Sequence, residues 1–124
     1  MAAEGKVVDA SAVAALLFGE PPAAEVASRL GGAVLFAPTL LRYEIANVCL
    51  KKLALYPTRR RVLLRALSLL DETDLREMAV PADEVVTLAR RKNLTAYDAS
   101  YLWLARTLGL ELVTLDHKLA RIAK

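Results

Sequence analysis

Cysteine is almost missing from this chain. Cys49 stands alone, which excludes an internal disulfide and any cysteine-cluster zinc site. Between Val48 and Leu50 it reads as a small buried hydrophobe. Aromatic residues make up only 6%, so the core must be built from Leu, Val, Ile and Ala. No apolar run approaches the roughly 20 residues of a spanning helix. The start, Met1 to Lys6, is too polar for a secretory leader, so the expected location is the cytoplasm. No Gly-rich phosphate loop is present; Gly31-Gly32 is a lone pair that reads as a turn. Glutamine is absent and asparagine occurs only at 47 and 93, a scarcity of labile amides that hints at a thermophilic source.

What remains is apolar and charged. Of the 124 residues 56% are hydrophobic and 25% charged, which supports a real core and excludes disorder. The length suits one domain over 1–124. A net charge of +3 is compatible with a nucleic-acid partner without requiring one.

Short β-branched runs alternate with helical patterns. Strands are expected at Lys6 to Val8, Ala33 to Ala37, Leu75 to Val80 and Glu111 to Leu115. Pro38 is expected to end the second strand. Helices are expected from Ala10 to Phe18, from Pro21-Pro22 to Leu30 and from Thr39 to Leu55. Further helices follow from Pro57 with Leu63, Leu64, Leu67 and Leu70 inward, from Pro81 through Val85, Val86 and Ala89 to Lys92, from Thr95 to Leu108 and from Asp116. This βααβααβααβα order implies a parallel sheet with helices on both faces. Function in such sheets lies beyond the carboxyl ends of the strands.

Two carboxylates stand there. Asp9 follows the first strand and Asp116 the last. Taken singly, each reads first as a helix N-cap. Asp98 fits a capping box with Thr95. Glu44 is different. With Leu41 as origin and about 100° per residue, it lies near −60°, beside the apolar stripe of Leu41, Ile45, Val48 and Cys49. A carboxylate there needs a partner, and Lys51, near about −80° on the same wheel, is the structural candidate. Together the four can converge. Such a cluster repels itself without a cation. Oxygen-only ligands favour Mg²⁺ or Mn²⁺ over zinc. The single histidine, His117, reads as a solvated side chain at a helix start.

Four segments carry a resemblance: Val7-Val8-Asp9-Ala10-Ser11, Glu44-Ile45-Ala46-Asn47-Val48, Thr95 to Leu102, and Leu112-Val113-Thr114-Leu115-Asp116. In this order they resemble the signature segments of PIN domains, and among these the VapC-type toxins of prokaryotic toxin–antitoxin pairs. The resemblance covers the whole chain. It implies a three-layer α/β/α fold with a central, mainly parallel sheet of four or five strands. It implies an endoribonuclease using Mg²⁺ or Mn²⁺, with Asp9, Glu44, Asp98 and Asp116 as the acidic quartet. Ser11 and Thr114 match polar positions that organise the site, and Asn47 a frequent supporting position. A VapB-type antitoxin and a homodimer are implied in the same way. Leu16 to Phe18, or Leu53, Leu55 and Tyr56, are candidates to line the antitoxin's groove.

The metal can lower the pKa of its bound water and polarise phosphoryl oxygens. Asp9, Asp98 and Asp116 are assigned as ligands, direct or through water, and Glu44 to a second metal or to orienting the attacking water. Single-stranded or structured RNA is the expected substrate, with Arg42 and Lys51 as candidate phosphate contacts. Lys52, Arg59 to Arg61 with Arg65, and Arg90 to Lys92 are further cations, though such runs read first as solvated helix faces. Two other readings remain at this point: a catalytically silent PIN-fold binding module, and a receiver-like phosphoacceptor domain. Against the receiver, Asp9 stands alone after its strand and no strand-end Lys is obvious.

Overall fold

A computed structural model describes residues 4–124 of the protein; residues 1–3, at the polar start, lie outside the described residues. The strands are β1 (Gly5–Val8), β2 (Val34–Pro38), β3 (Leu75–Met78) and β4 (Glu111–Val113). The helices are α1 (Ala10–Phe18), α2 (Ala23–Leu30), α3 (Leu41–Leu55), α4 (Arg60–Ser68), α5 (Ala82–Lys92), α6 (Ala96–Leu108) and α7 (His117–Ala123). Short 3₁₀ turns flank α4 at Pro57–Arg59 and Leu69–Glu72. The four strands lie in the order β3-β2-β1-β4, and every pairing is parallel.

A parallel sheet must be covered on both faces, because its crossovers are helices. Val7 and Val8 are accordingly both fully buried although their side chains point to opposite faces. Helices α1, α3 and α4 pack together, while α5 and α6 form a second pair and α6 lies against β1, β2 and β4. The result is the expected three-layer arrangement. Tyr101, Leu41, Ile45, Leu102 and Leu104 are the largest fully buried side chains.

The strand order places the site. The chain steps outward from β1 to β2 to β3, then returns to lay β4 on the other side of β1. Crossovers leave β1 in opposite directions, so a crevice opens beyond the carboxyl ends of β1 and β4. That is where Asp9 and Asp116 emerge.

Several boundaries differ from expectation. Pro38 does not stop β2 from outside: it is the last residue of the strand and pairs with Met78. A strand's final residue tolerates a missing N–H, and Thr39 supplies the next one to the Met78 carbonyl at 3.1 Å. Helix α3 therefore starts at Leu41 rather than Thr39, and α2 at Ala23, just after the two prolines. β3 ends at Met78 instead of Val80, and β4 at Val113 instead of Leu115. Leu64 and Val86, expected inside, lie at the surface at 36% and 52% exposure. Leu63 and Leu70 on one side, and Val85 and Ala89 on the other, fill those interfaces instead.

Three helix ends, at Gly19, Asn93 and Gly109, show the chain reversing by left-handed backbone. Gly19 (φ 64°) ends α1 with its N–H on the Ala15 carbonyl. Asn93 (φ 55°) ends α5 in the same conformation, the one non-glycine residue with positive φ among the described residues.

Candidate active site: an acidic cleft at the carboxyl edge

Asp9 sits one residue past β1, and its N–H extends the ladder to the Val113 carbonyl of β4 at 3.2 Å. It is a buried carboxylate, 5% exposed, and such a group must be hydrogen-bonded. Oδ1 accepts from the Ser11 hydroxyl at 2.7 Å and the Ala12 N–H at 3.1 Å. Oδ2 accepts from the Thr114 hydroxyl. Three of about four lone-pair positions are thus filled, and the remaining one is on Oδ2. Asp9 is an N-cap of α1, as its residue type alone suggests, and it is also the centre of a tertiary network.

That network explains why β4 stops early. The Thr114 hydroxyl accepts from the Asp116 N–H at 3.0 Å while donating to Asp9. The Ser11 hydroxyl accepts from the Leu115 N–H at 3.0 Å. The backbone after Val113 is held by these two hydroxyls, which turns it into α7 and points Asp116 outward. Asp116 caps α7 through Oδ1, which accepts from the Leu119 N–H at 2.9 Å. Its side chain remains exposed.

Asp98 lies in the first turn of α6. Thr95 caps that helix by accepting from the Asp98 main-chain N–H at 3.1 Å. Glu44 projects from the first turn of α3 and accepts a 2.6 Å hydrogen bond from the hydroxyl of Tyr101. The expected partner Lys51 is exposed and makes no bond to Glu44 among the described residues. Lys51 instead lines an open cavity of about 420 Å³ with Ser11, Val48, Leu55 and Leu115. Tyr101 is the residue that sequence reasoning missed. The signal was available: it follows Asp98 by three positions, so both stand on one face of α6.

Three of the acids respond to burial and to neighbouring carboxylates. Burial pushes the Asp9 carboxyl above its ordinary value, opposed by the Thr114, Ser11 and Ala12 donors, and the charge of Asp116 adds to the rise. Asp98 is raised by burial and then by Asp116 and Asp9, while Lys118 and the Thr95 hydroxyl pull it down. Glu44 is raised by burial, lowered by the Tyr101 hydroxyl, and raised by Asp98 and Asp9. Tyr101 is itself pushed upward, by burial first and then by Glu44. These raised values arise where like charges meet in a partly buried edge.

Convergence is not closure. Among the described residues no three Asp, Glu, His or Cys groups stand close enough to form a compact metal cage. The donor set nevertheless fits a hard divalent cation. Mg²⁺ keeps several waters and is characteristically held by one or two carboxylates plus substrate phosphate, not by an all-protein cage.

The other candidates separate. Asn47 is exposed on α3 and makes no side-chain hydrogen bond to the four acids among the described residues. Arg42 is committed elsewhere: its guanidinium donates to Glu77 at 2.8 Å and Asp71 at 2.7 Å, tying α3 to β3 and the turn before it. Lys52 pairs with Glu20 at 3.6 Å and lies over the Phe18 ring. Arg59 to Arg61 are exposed, as are Arg90 and Arg91. Cys49 is buried and its thiol is pushed up by burial, as expected of an inert packing residue. His117 is exposed beside Asp116.

The fold is a doubly covered parallel α/β sheet with Asp9 and Asp116 beyond its β1/β4 edge, and with Asp98 and Glu44 near enough to feel the Asp9 charge. Residues 6–124 match the PIN domain family, and the chain belongs to it. Within that family it is VapC-like. It is 34% identical to Ribonuclease VapC3 of Pyrobaculum aerophilum, over 92% of this chain and 91% of that protein. A 39-residue stretch is 51% identical to Exonuclease VapC9 of the same organism, covering 32% of this chain and 29% of that one. The crystal structure of PAE2754, also from Pyrobaculum aerophilum, superposes with a TM-score of 0.67 at 32% identity, over 98% of this chain and 86% of that one.

Proposed function

We propose that the protein is a metal-dependent endoribonuclease of the VapC type, the toxin of a toxin–antitoxin pair. The observation that carries this reading is the gathering of carboxylates around the buried, triply hydrogen-bonded Asp9: Asp116 acts on it, and it acts on Asp98 and Glu44, in a chain of this family. Asp9, Asp98 and Asp116 are assigned to hold Mg²⁺ or Mn²⁺, directly or through its waters, with Glu44 at a second ion or at the attacking water. When bound, such an ion lowers the pKa of water and polarises a phosphoryl oxygen.

The chain's own residues prepare that chemistry. Ser11, Thr114 and the Ala12 amide hold Asp9 in one orientation with one lone pair of Oδ2 unused. Asp116 is pinned through Oδ1 and presents Oδ2. Lys51, in a neighbouring cavity that Ser11 also lines, is assigned to a substrate phosphate, which supplies affinity and not sequence choice. Arg42's two carboxylate partners weigh against the same role for it. Asn47 is assigned only a supporting place at the rim.

The wider reading follows from family membership. The domain spans 1–124 and works in the cytoplasm; no helix of the described residues is long and apolar enough to cross a membrane. A VapB-type antitoxin and a second copy of the chain are the proposed protein partners. Leu55 at 71% exposure and Tyr56 at 48% leave apolar surface at the end of α3 for such a contact.

The test is a melting curve paired with an RNA cleavage assay. Millimolar Mn²⁺ should raise the melting temperature by mass action and support cleavage that EDTA abolishes. Asp9→Asn should lose both effects. A wild-type protein that neither shifts nor cleaves in Mn²⁺ overturns the reading.

A further inference from the structure

Tyr101 is a buried, titratable side chain that the proposed chemistry does not use. It is 1% exposed, and its only recorded side-chain hydrogen bond among the described residues is the 2.6 Å donation to Glu44 Oε1. The two residues are 57 positions apart and join α3 to α6. Tyr101 also lies one helical turn beyond Asp98, on the same face of α6. A single helix thus delivers one carboxylate of the cleft and the hydroxyl that fixes another.

We propose that Tyr101 is a positioning residue: its hydroxyl locks Glu44 into one rotamer, with Oε1 occupied and Oε2 turned to the cleft. This rests on the nuclease reading above. Glu44 has three side-chain torsions and only half-buried surroundings, so without a donor it samples several rotamers. A phenol donating to a carboxylate is a strong, short bond, and the buried ring cannot follow Glu44 out to solvent. The hydroxyl also offsets the repulsion that Asp98 and Asp9 exert on Glu44. Ordinary packing does not account for this: a Phe would fill the same core space, and the hydroxyl would be unnecessary.

The test is Tyr101→Phe, which keeps the ring and removes one oxygen. Outer partners of metal ligands are typically worth ten- to hundredfold in activity or metal affinity, so kcat should fall by about that factor. KM for RNA should stay within about twofold, because Tyr101 does not reach substrate. The Mn²⁺ concentration giving half of the melting-temperature shift should rise, by about threefold or more on the same grounds. In a Glu44→Ala background, adding Tyr101→Phe should leave that midpoint where it is, since the residue acts through Glu44. A folded Tyr101→Phe protein with unchanged kcat and Mn²⁺ midpoint overturns the inference. So does a further rise in midpoint in the Glu44→Ala background, which makes the role structural. Asp9→Asn, run in parallel, distinguishes failure of the nuclease reading, in which wild type itself shows no Mn²⁺ response, from failure of this one.

Discussion

Asp9 and Thr114 are separated by 105 residues and meet side chain to side chain at the carboxyl edge of the sheet. The contact exists because β1 and β4, first and last in the chain, are parallel neighbours. It commits the Thr114 hydroxyl twice: as donor to a buried carboxylate and as acceptor from the Asp116 amide. One hydroxyl therefore positions two of the four acids.

Thr114→Val tests this directly, since it keeps the shape and removes the oxygen. Leaving the buried Asp9 Oδ2 without its donor should cost about 1–3 kcal/mol in EDTA, read by denaturant titration. Cleavage by the folded fraction should fall by about ten- to hundredfold. A variant with wild-type stability would show that the contact contributes nothing.

Stability in EDTA should depend on pH in a direction opposite to most acid-sensitive proteins. Asp9, Glu44 and Asp98 are all raised in the fold. A raised carboxyl binds its proton more tightly folded than unfolded. Its contribution is fully present below the unfolded value and lost as pH rises through the folded one. The metal-free melting temperature should therefore increase as pH is lowered through these raised values towards the ordinary carboxyl range near about 4. Asp9→Asn should flatten the rise. A melting temperature that only falls as wild type enters that range would contradict the raised values.

Asp98→Asn separates capping from metal binding. The Thr95 cap takes the main-chain N–H, which Asn retains. The fold should hold, and metal-free stability should stay level or rise as one repelling charge is removed. Cleavage should drop by about a hundredfold if Asp98 is a ligand. Near-normal cleavage would remove Asp98 from the site.

The two candidate phosphate contacts should behave differently. Arg42→Gln breaks a part-exposed ion-pair pair with Glu77 and Asp71, worth about 0.2–1 kcal/mol of stability, and should leave the salt dependence of RNA binding alone. Lys51→Gln should leave stability alone and make the salt slope shallower by about one phosphate. Binding measured against salt concentration decides; the reverse pattern would exchange their roles.

Much of this was legible without coordinates. The alternation of short apolar strands with helices determined a parallel sheet, because such strands can only be joined by crossovers. Carboxylates directly after the first and last strands determined where to look. Boundaries were less legible where side chains, not propensity, end an element: Thr114 and Ser11 terminate β4, and no local pattern reports that. Glu44 exposes the same limit. Its place beside an apolar stripe showed that it needs a partner, and the wheel of its own helix offered Lys51.

The tertiary structure decided otherwise, for a physical reason. A helix wheel sees neighbours one turn away, whereas a half-buried carboxylate is satisfied by whatever donor the packing brings to it, here Tyr101 from α6. The same holds for Arg42, a free cation in the sequence and an ion-paired strut in the fold. Residue types and their order determined the architecture and the identity of the four acids. Strand order alone decided that Asp9 and Asp116 share an edge, because β4 returns to β1 and not to β3. Hydrogen bonds from residues distant in the chain, Thr114 to Asp9 and Tyr101 to Glu44, decided which oxygens of those two acids are occupied, since lone pairs are filled by geometry and not by sequence.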